Sequence, residues 1–186
     1  MAADATAMVS MALTIAFVAV ACLAAGWDIR YRRIPNAVTV TGLALALVLR
    51  AVPGGETLTA GLLGAAVGLA LGIAFFALGA IGAGDAKLIA AFGAFFGPLP
   101  FLQALALGVV LGGVFALADA ALRGLLPLLV QRSLQTVRGG LRGELSASGA
   151  ESGEPGRLRI PYGVPLALGA VIWWFHGAAI LKGFIR

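Results

Sequence analysis

The sequence predicts an all-α integral membrane protein of about six transmembrane helices, and three observations carry that prediction. Of 186 residues, 61% are hydrophobic and only 11% charged, far from the balance of a water-soluble domain. Apolar runs approaching the ~20 residues that a spanning helix needs recur along the chain. The basic residues gather between those runs. The formal net charge of +5 therefore reads as a topology signal, and no nucleic-acid partner is expected.

Run one is Met8 to Trp27. The residues before it include Asp4 but no Lys or Arg, so it lacks the basic start of a cleaved signal and is expected to persist as a helix. A polar stretch follows, Asp28-Ile29-Arg30-Tyr31-Arg32-Arg33-Ile34-Pro35-Asn36, in which Pro35 keeps Ile34 extended and forces a turn. Run two, Ala37 to Ala51, stops at Pro53-Gly54-Gly55. Run three, Leu58 to Ile81, carries Gly64, Gly68 and Gly72, the small-xxx-small stripe that lets membrane helices approach closely. Run four, Ala86 to Gly97, has only 12 residues and is expected to be a short tilted or partial crossing. Run five covers Leu102 to Leu122. A polar loop over 123–160 then places Leu128, Leu134 and Leu141 among Arg132 and Arg138, which predicts an interfacial helix over 128–141 before a Ser/Gly/Glu-rich linker. Run six, Val164 to Ile180, includes Trp173 and Trp174, expected in an outer aromatic belt. The whole of 1–186 reads as a single polytopic domain.

Threading six runs through a bilayer leaves Arg50, Lys182 and Arg186 on one side and the other 10 of the 13 basic residues on the opposite side. The positive-inside bias puts both termini outside and the polar loops in the cytoplasm. It also brings Asp28 and Asp85 to the same membrane face.

Those two aspartates carry the chemistry. Ionisable groups beside membrane segments are costly, and so mark functional sites. Two neighbouring carboxylates share a proton near neutral pH. One member can then deprotonate water while the other hydrogen-bonds a substrate carbonyl. Such a pair hydrolyses a peptide bond without thiol, serine, metal or cofactor. That suits a chain with one cysteine, Cys22, and one histidine, His176. Gly82 and Gly84 leave room for a substrate backbone beside Asp85. By helix ends alone, Asp85 at an N-terminus is expected to be the base and Asp28 at a C-terminus the acid. Two other readings use the same residues: a small proton- or cation-coupled transporter drawing also on Asp119, and a catalytically silent membrane scaffold. Transport sites usually lie at the bilayer midplane between repeats, whereas these aspartates flank loops.

Gly82-Ala83-Gly84-Asp85-Ala86-Lys87 resembles the GxGDxK signature of the type IV prepilin peptidases, membrane aspartic proteases of the GxGD class. Asp28 followed by Ile34-Pro35-Asn36 resembles the first aspartate of that family and its downstream IPN. Ile160-Pro161-Tyr162-Gly163-Val164-Pro165 resembles the segment that opens its last helix. The resemblance implies removal of the short basic leader from prepilin or pseudopilin precursors, at the cytoplasmic face of a bacterial inner membrane. It implies Asp28 and Asp85 as the catalytic pair. It also implies substrate contacts at Gly82, Gly84, Lys87, Pro35, Asn36, Pro161, Tyr162 and Gly163, with a precursor protein and the lipid bilayer as partners. Longer members add a cytoplasmic region with two Cys-x-x-Cys pairs and methylate the new N-terminus. With Cys22 alone, this chain resembles instead the compact peptidases of tight-adherence (Tad/Flp) pili.

Overall fold

Local chemistry sets the helix ends. In the computed structural model, which describes residues 2–52, 57–78, 80–122, 124 and 163–184, α1 (Ala2–Tyr31) outlasts its apolar run and takes Asp28 into its last turn. Helical hydrogen bonds do not need apolar side chains, so the helix stops only where Arg32 turns left-handed at φ 50°. Pro35, extended at φ −63° and ψ 140°, then leads into α2 (Asn36–Ala51). The next helix, α3 (Leu58–Ala77), ends four residues short of Ile81, where the Ala80 N–H folds back onto the Phe75 carbonyl at 2.9 Å. Gly82 precedes α4 (Ala83–Phe96), which ends at Gly97 with φ 76°. Helix α5 (Pro98–Leu122) begins on Pro98 itself rather than at Leu102, because a first-turn residue needs no amide hydrogen. The last described helix is α6 (Gly163–Phe184). Among the described residues every regular element is helical. The interfacial helix expected over 128–141 lies outside them.

The short run proves to be the hub. Helix α4 packs against α1, α2, α3, α5 and α6. Leu88 to Phe96 are all buried. Its 14 residues rise only ~21 Å, less than the ~30 Å hydrocarbon core. The neighbouring helices cover it on all sides.

The glycine stripe of α3 is what lets α4 sit so deep. Gly64 lies on Gly93, Gly68 on Ile89 and Ala90, and Gly72 on Ala86, so the two helices run antiparallel. A Cβ at Gly68 would stand 2.6 Å from the Ile89 carbonyl oxygen, and one at Gly72 2.7 Å from that of Ala86. In lipid there is no hydrophobic drive between helices, and close van der Waals packing of this kind takes its place. Gly108 and Gly169 make a similar approach between α5 and α6.

Phe17, wholly buried in α1, is ringed by Phe92, Phe95 and Phe96 at centroid distances of 5.5, 5.7 and 5.2 Å. Trp174 stacks on it at 4.7 Å and donates its indole N–H to Thr14 Oγ1 at 3.2 Å. Trp174 therefore turns inward instead of joining an outer belt, because Thr14 supplies the partner its N–H needs. The outer surface is apolar as well, with Met8, Ile15, Leu63, Ile73, Val110 and Val114 exposed. Helices apolar on every face belong in a bilayer. Three of them, over Asp4–Tyr31, Leu58–Ala77 and Pro98–Asp119, are long and apolar enough to cross one.

Candidate active site

Four helix ends converge at one end of the bundle. They are the C-terminus of α1 and the N-termini of α2, α4 and α6, and Asp28 and Asp85 lie among them.

Asp28 is buried, 5% exposed, in the last turn of α1. Its Oδ2 accepts the Gly163 N–H at 2.9 Å, the Val164 N–H also hydrogen-bonds it, and Arg32 stands within electrostatic reach. Gly163 is the first residue of α6, so the aspartate sits against a helix N-terminus contributed from 135 positions away. A Cβ at this position would come 2.7 Å from Asp28 Oδ2 and would push the carboxyl off its place.

Asp85 is half-buried in the first turn of α4. It is not the residue that precedes the helix. That place belongs to Gly82, whose N–H donates to Asp85 Oδ2 at 3.0 Å in a capping box. Burial, foremost, raises the Asp85 pKa to about 6, the Gly82 N–H opposes the rise, and the Asp28 charge adds to it. The two carboxyl groups therefore sense one another. Asp85 lies outside the three long apolar spans and before the buried stretch of α4.

Ile34 joins the two halves. It is buried, and its Cδ1 faces Gly163 beside Asp28 while its backbone and Cβ face Gly84 beside Asp85. Sequence reasoning took Ile34 as the residue that Pro35 holds extended and as the first of the IPN stretch, and gave it no place between the two aspartates. Pro35 is half-buried ahead of α2, and Asn36, the first residue of α2, is exposed. Lys87, also exposed, donates its Nζ to Asn36 Oδ1 at 2.8 Å. Pro161 and Tyr162 lie outside the described residues.

The helix-end assignment of base and acid does not carry over to this geometry. Asp85 is at an N-terminus, as expected, but Asp28 meets the N-terminus of α6 as well as the C-terminus of α1. The dipole argument thus applies to both aspartates, and burial, which lifts Asp85, outweighs it there. Among the described residues no three His, Cys, Asp or Glu side chains are grouped so as to hold a metal ion.

Residues 15–117, more than half of the chain, match the model of the type IV leader peptidase family, and the matched span holds both aspartates. The chain belongs to the type IV leader peptidase family. Membership makes it a peptidase, a hydrolase with a protein substrate, and its apolar helices make it a membrane protein. No curated protein and no solved structure matches the chain. Helix α6 and its Gly163 fall beyond the matched span, so the hydrogen bond to Asp28 is known only from the structure.

Proposed function

We propose that this peptidase removes the short basic leader of type IV pilin-like precursors at the cytoplasmic face of a bacterial inner membrane, with Asp28 and Asp85 as its catalytic pair. The observation that carries the reading is the meeting of two carboxyl groups from distant helices at one end of the bundle, within a family of leader peptidases. One ionised carboxylate takes a proton from water while its protonated partner hydrogen-bonds the scissile carbonyl. The hydroxide oxygen adds to the carbonyl carbon, the nitrogen gains a proton from the pair, and the C–N bond breaks. Asp85, with the raised pKa, is the member suited to carry the shared proton. Asp28, whose Oδ2 accepts the Gly163 N–H, is the member whose carboxyl the backbone orients most firmly. A tightly coupled pair titrates jointly, so the assignment concerns the dominant proton position.

Six crossings with both termini outside would set this end of the bundle in the cytoplasm, where 10 of the 13 basic residues would lie. The substrate's hydrophobic helix would then lie in the bilayer and its basic leader in the cytoplasm, beside the pair. Gly82, Gly84 and the 160–165 segment are the proposed contacts for its backbone, and the whole chain would act as one compact unit of the Tad/Flp type.

The test is co-expression with matched pilin precursors, reading the mass of the product. Wild type should cut at the leader glycine, whereas Asp28→Asn and Asp85→Asn should leave the precursor intact at unchanged protein level. Cleavage surviving in either variant would overturn the pair. A wild type that cuts no matched precursor would favour a transporter or a scaffold.

A further inference from the structure

The two aspartates sit on different helices, so their separation depends on what holds the first turn of α4 in register with its neighbours. The buried stretch of α4 is locked by the α3 glycine ladder and the Phe17 cluster, while its more exposed first turn has Ile34 packed against Gly84 as its apolar contact. The polar tie at this end is different. Lys87 Nζ of α4 donates to Asn36 Oδ1 of α2 at 2.8 Å, across 51 positions of sequence. Residues two apart on a helix point in different directions, which carries the Lys87 ammonium away from Asp85 and onto α2. Asn36 directly follows the Ile34-Pro35 turn that packs against the Asp28 site.

A second tie joins the same two helices at their other ends. Arg50, in the last turn of α2 and 3% exposed, donates Nη2 to the Phe95 carbonyl near the end of α4 at 2.7 Å. Helices α2 and α4 thus run parallel and are pinned at both ends by a cationic side chain donating to oxygen.

We propose that Lys87 and Asn36 form a positioning pair that holds α4 in register against α2, and so keeps Asp85 opposite Asp28. The inference rests on the peptidase reading for its effect on activity, but the register itself can be read without activity. Lys87 is then neither a membrane anchor nor a group that touches substrate. Its charge is used to make a strong donor to the Asn36 amide oxygen. The contact lies in solvent, so it fixes geometry and adds little to the stability of the fold.

The experiment is a double-mutant cycle on the full chain in proteoliposomes, with a pilin-like precursor peptide as substrate. Misplacing a reacting group by about 1 Å costs up to ~100-fold, and losing one of several constraints should cost about tenfold in kcat. Lys87→Met and Asn36→Leu should each lower kcat by about that factor at unchanged KM and thermal midpoint. The double variant should be no worse than either single one. Asn36→Asp, which keeps an acceptor for Lys87, should retain activity. In parallel, spin labels at Ala37 and Ala83, both exposed, in a Cys22→Ser background should give a narrow distance distribution that broadens in Lys87→Met. An additive double variant, a raised KM confined to Lys87→Met, or an unbroadened distribution would each overturn the pair. A wild type that cleaves nothing but whose labels broaden on Lys87→Met would instead sink the peptidase reading and leave the register role intact.

Discussion

At its C-terminal end α4 is held by buried groups: Arg50 donates to the Phe95 carbonyl, and Phe92, Phe95 and Phe96 close around Phe17. At its N-terminal end the Gly82 N–H is on Asp85 and the Lys87 ammonium is on Asn36, and both contacts lie within reach of water. Each end carries out a different task. The far end excludes solvent, so every polar group there needs a partner, and removing one leaves a desolvation penalty. The near end admits the water a hydrolase consumes, and its contacts govern where Asp85 stands more than whether the chain folds. One helix therefore transmits the rigidity of an apolar core to a wet site.

The comparison breaks most easily at the near end. Asp28→Asn or Asp85→Asn should abolish cleavage while the thermal midpoint in detergent stays or rises; unfolding of either variant would show that the near end carries stability after all. The glycine ladder ranks next. Gly68→Ala puts a Cβ against the Ile89 carbonyl, and overpacking of this kind costs roughly 1–3 kcal/mol, read as a lower unfolding midpoint. Arg50→Met leaves the buried Phe95 carbonyl without the donor it has now, at a cost of about 1–3 kcal/mol, and cleavage per folded molecule should persist. If Arg50→Met instead lost activity at full stability, the two ends would not be separable.

The smallest effect is on proton uptake. The folded Asp85 pKa of about 6 lies above the 3.8 of a free carboxyl, so folding binds this proton more tightly. Its contribution to stability is complete below pH 3.8 and is lost as pH rises through about 6. Unfolding midpoints followed from pH 4 to pH 8 should show that decline in wild type, and Asp85→Asn should remove it. Asp28→Asn deletes a neighbouring negative charge and should move the Asp85 midpoint downward; an upward movement would separate the two carboxyls.

Much of this protein was written locally. The breaks at Pro35 and Gly82 and the apolar runs between them follow from steric and solvation rules that act over a few residues, so five helix cores were legible within a turn or so. The Gly64, Gly68 and Gly72 stripe was legible too, because its period is that of one helix face. Helix ends were less so. Asp28 was expected just past α1 and lies inside it, and Pro98 was expected to break the chain and instead starts α5.

What only the tertiary structure decided involves partners far apart in sequence. Nothing near Asp28 announces that Gly163 will offer its N–H from 135 positions away, and nothing near Trp174 announces Thr14, 160 positions away. Arg50 looks in sequence like a basic residue at a membrane boundary, and its burial depends on an α4 carbonyl that the α3 ladder brings within reach. Sequence determined the helices and the carboxyl groups because propensity and hydropathy are local energies. The surroundings of those carboxyl groups come from helix packing, which brings a distant backbone donor onto Asp28 and sets the two carboxyls within electrostatic reach of one another.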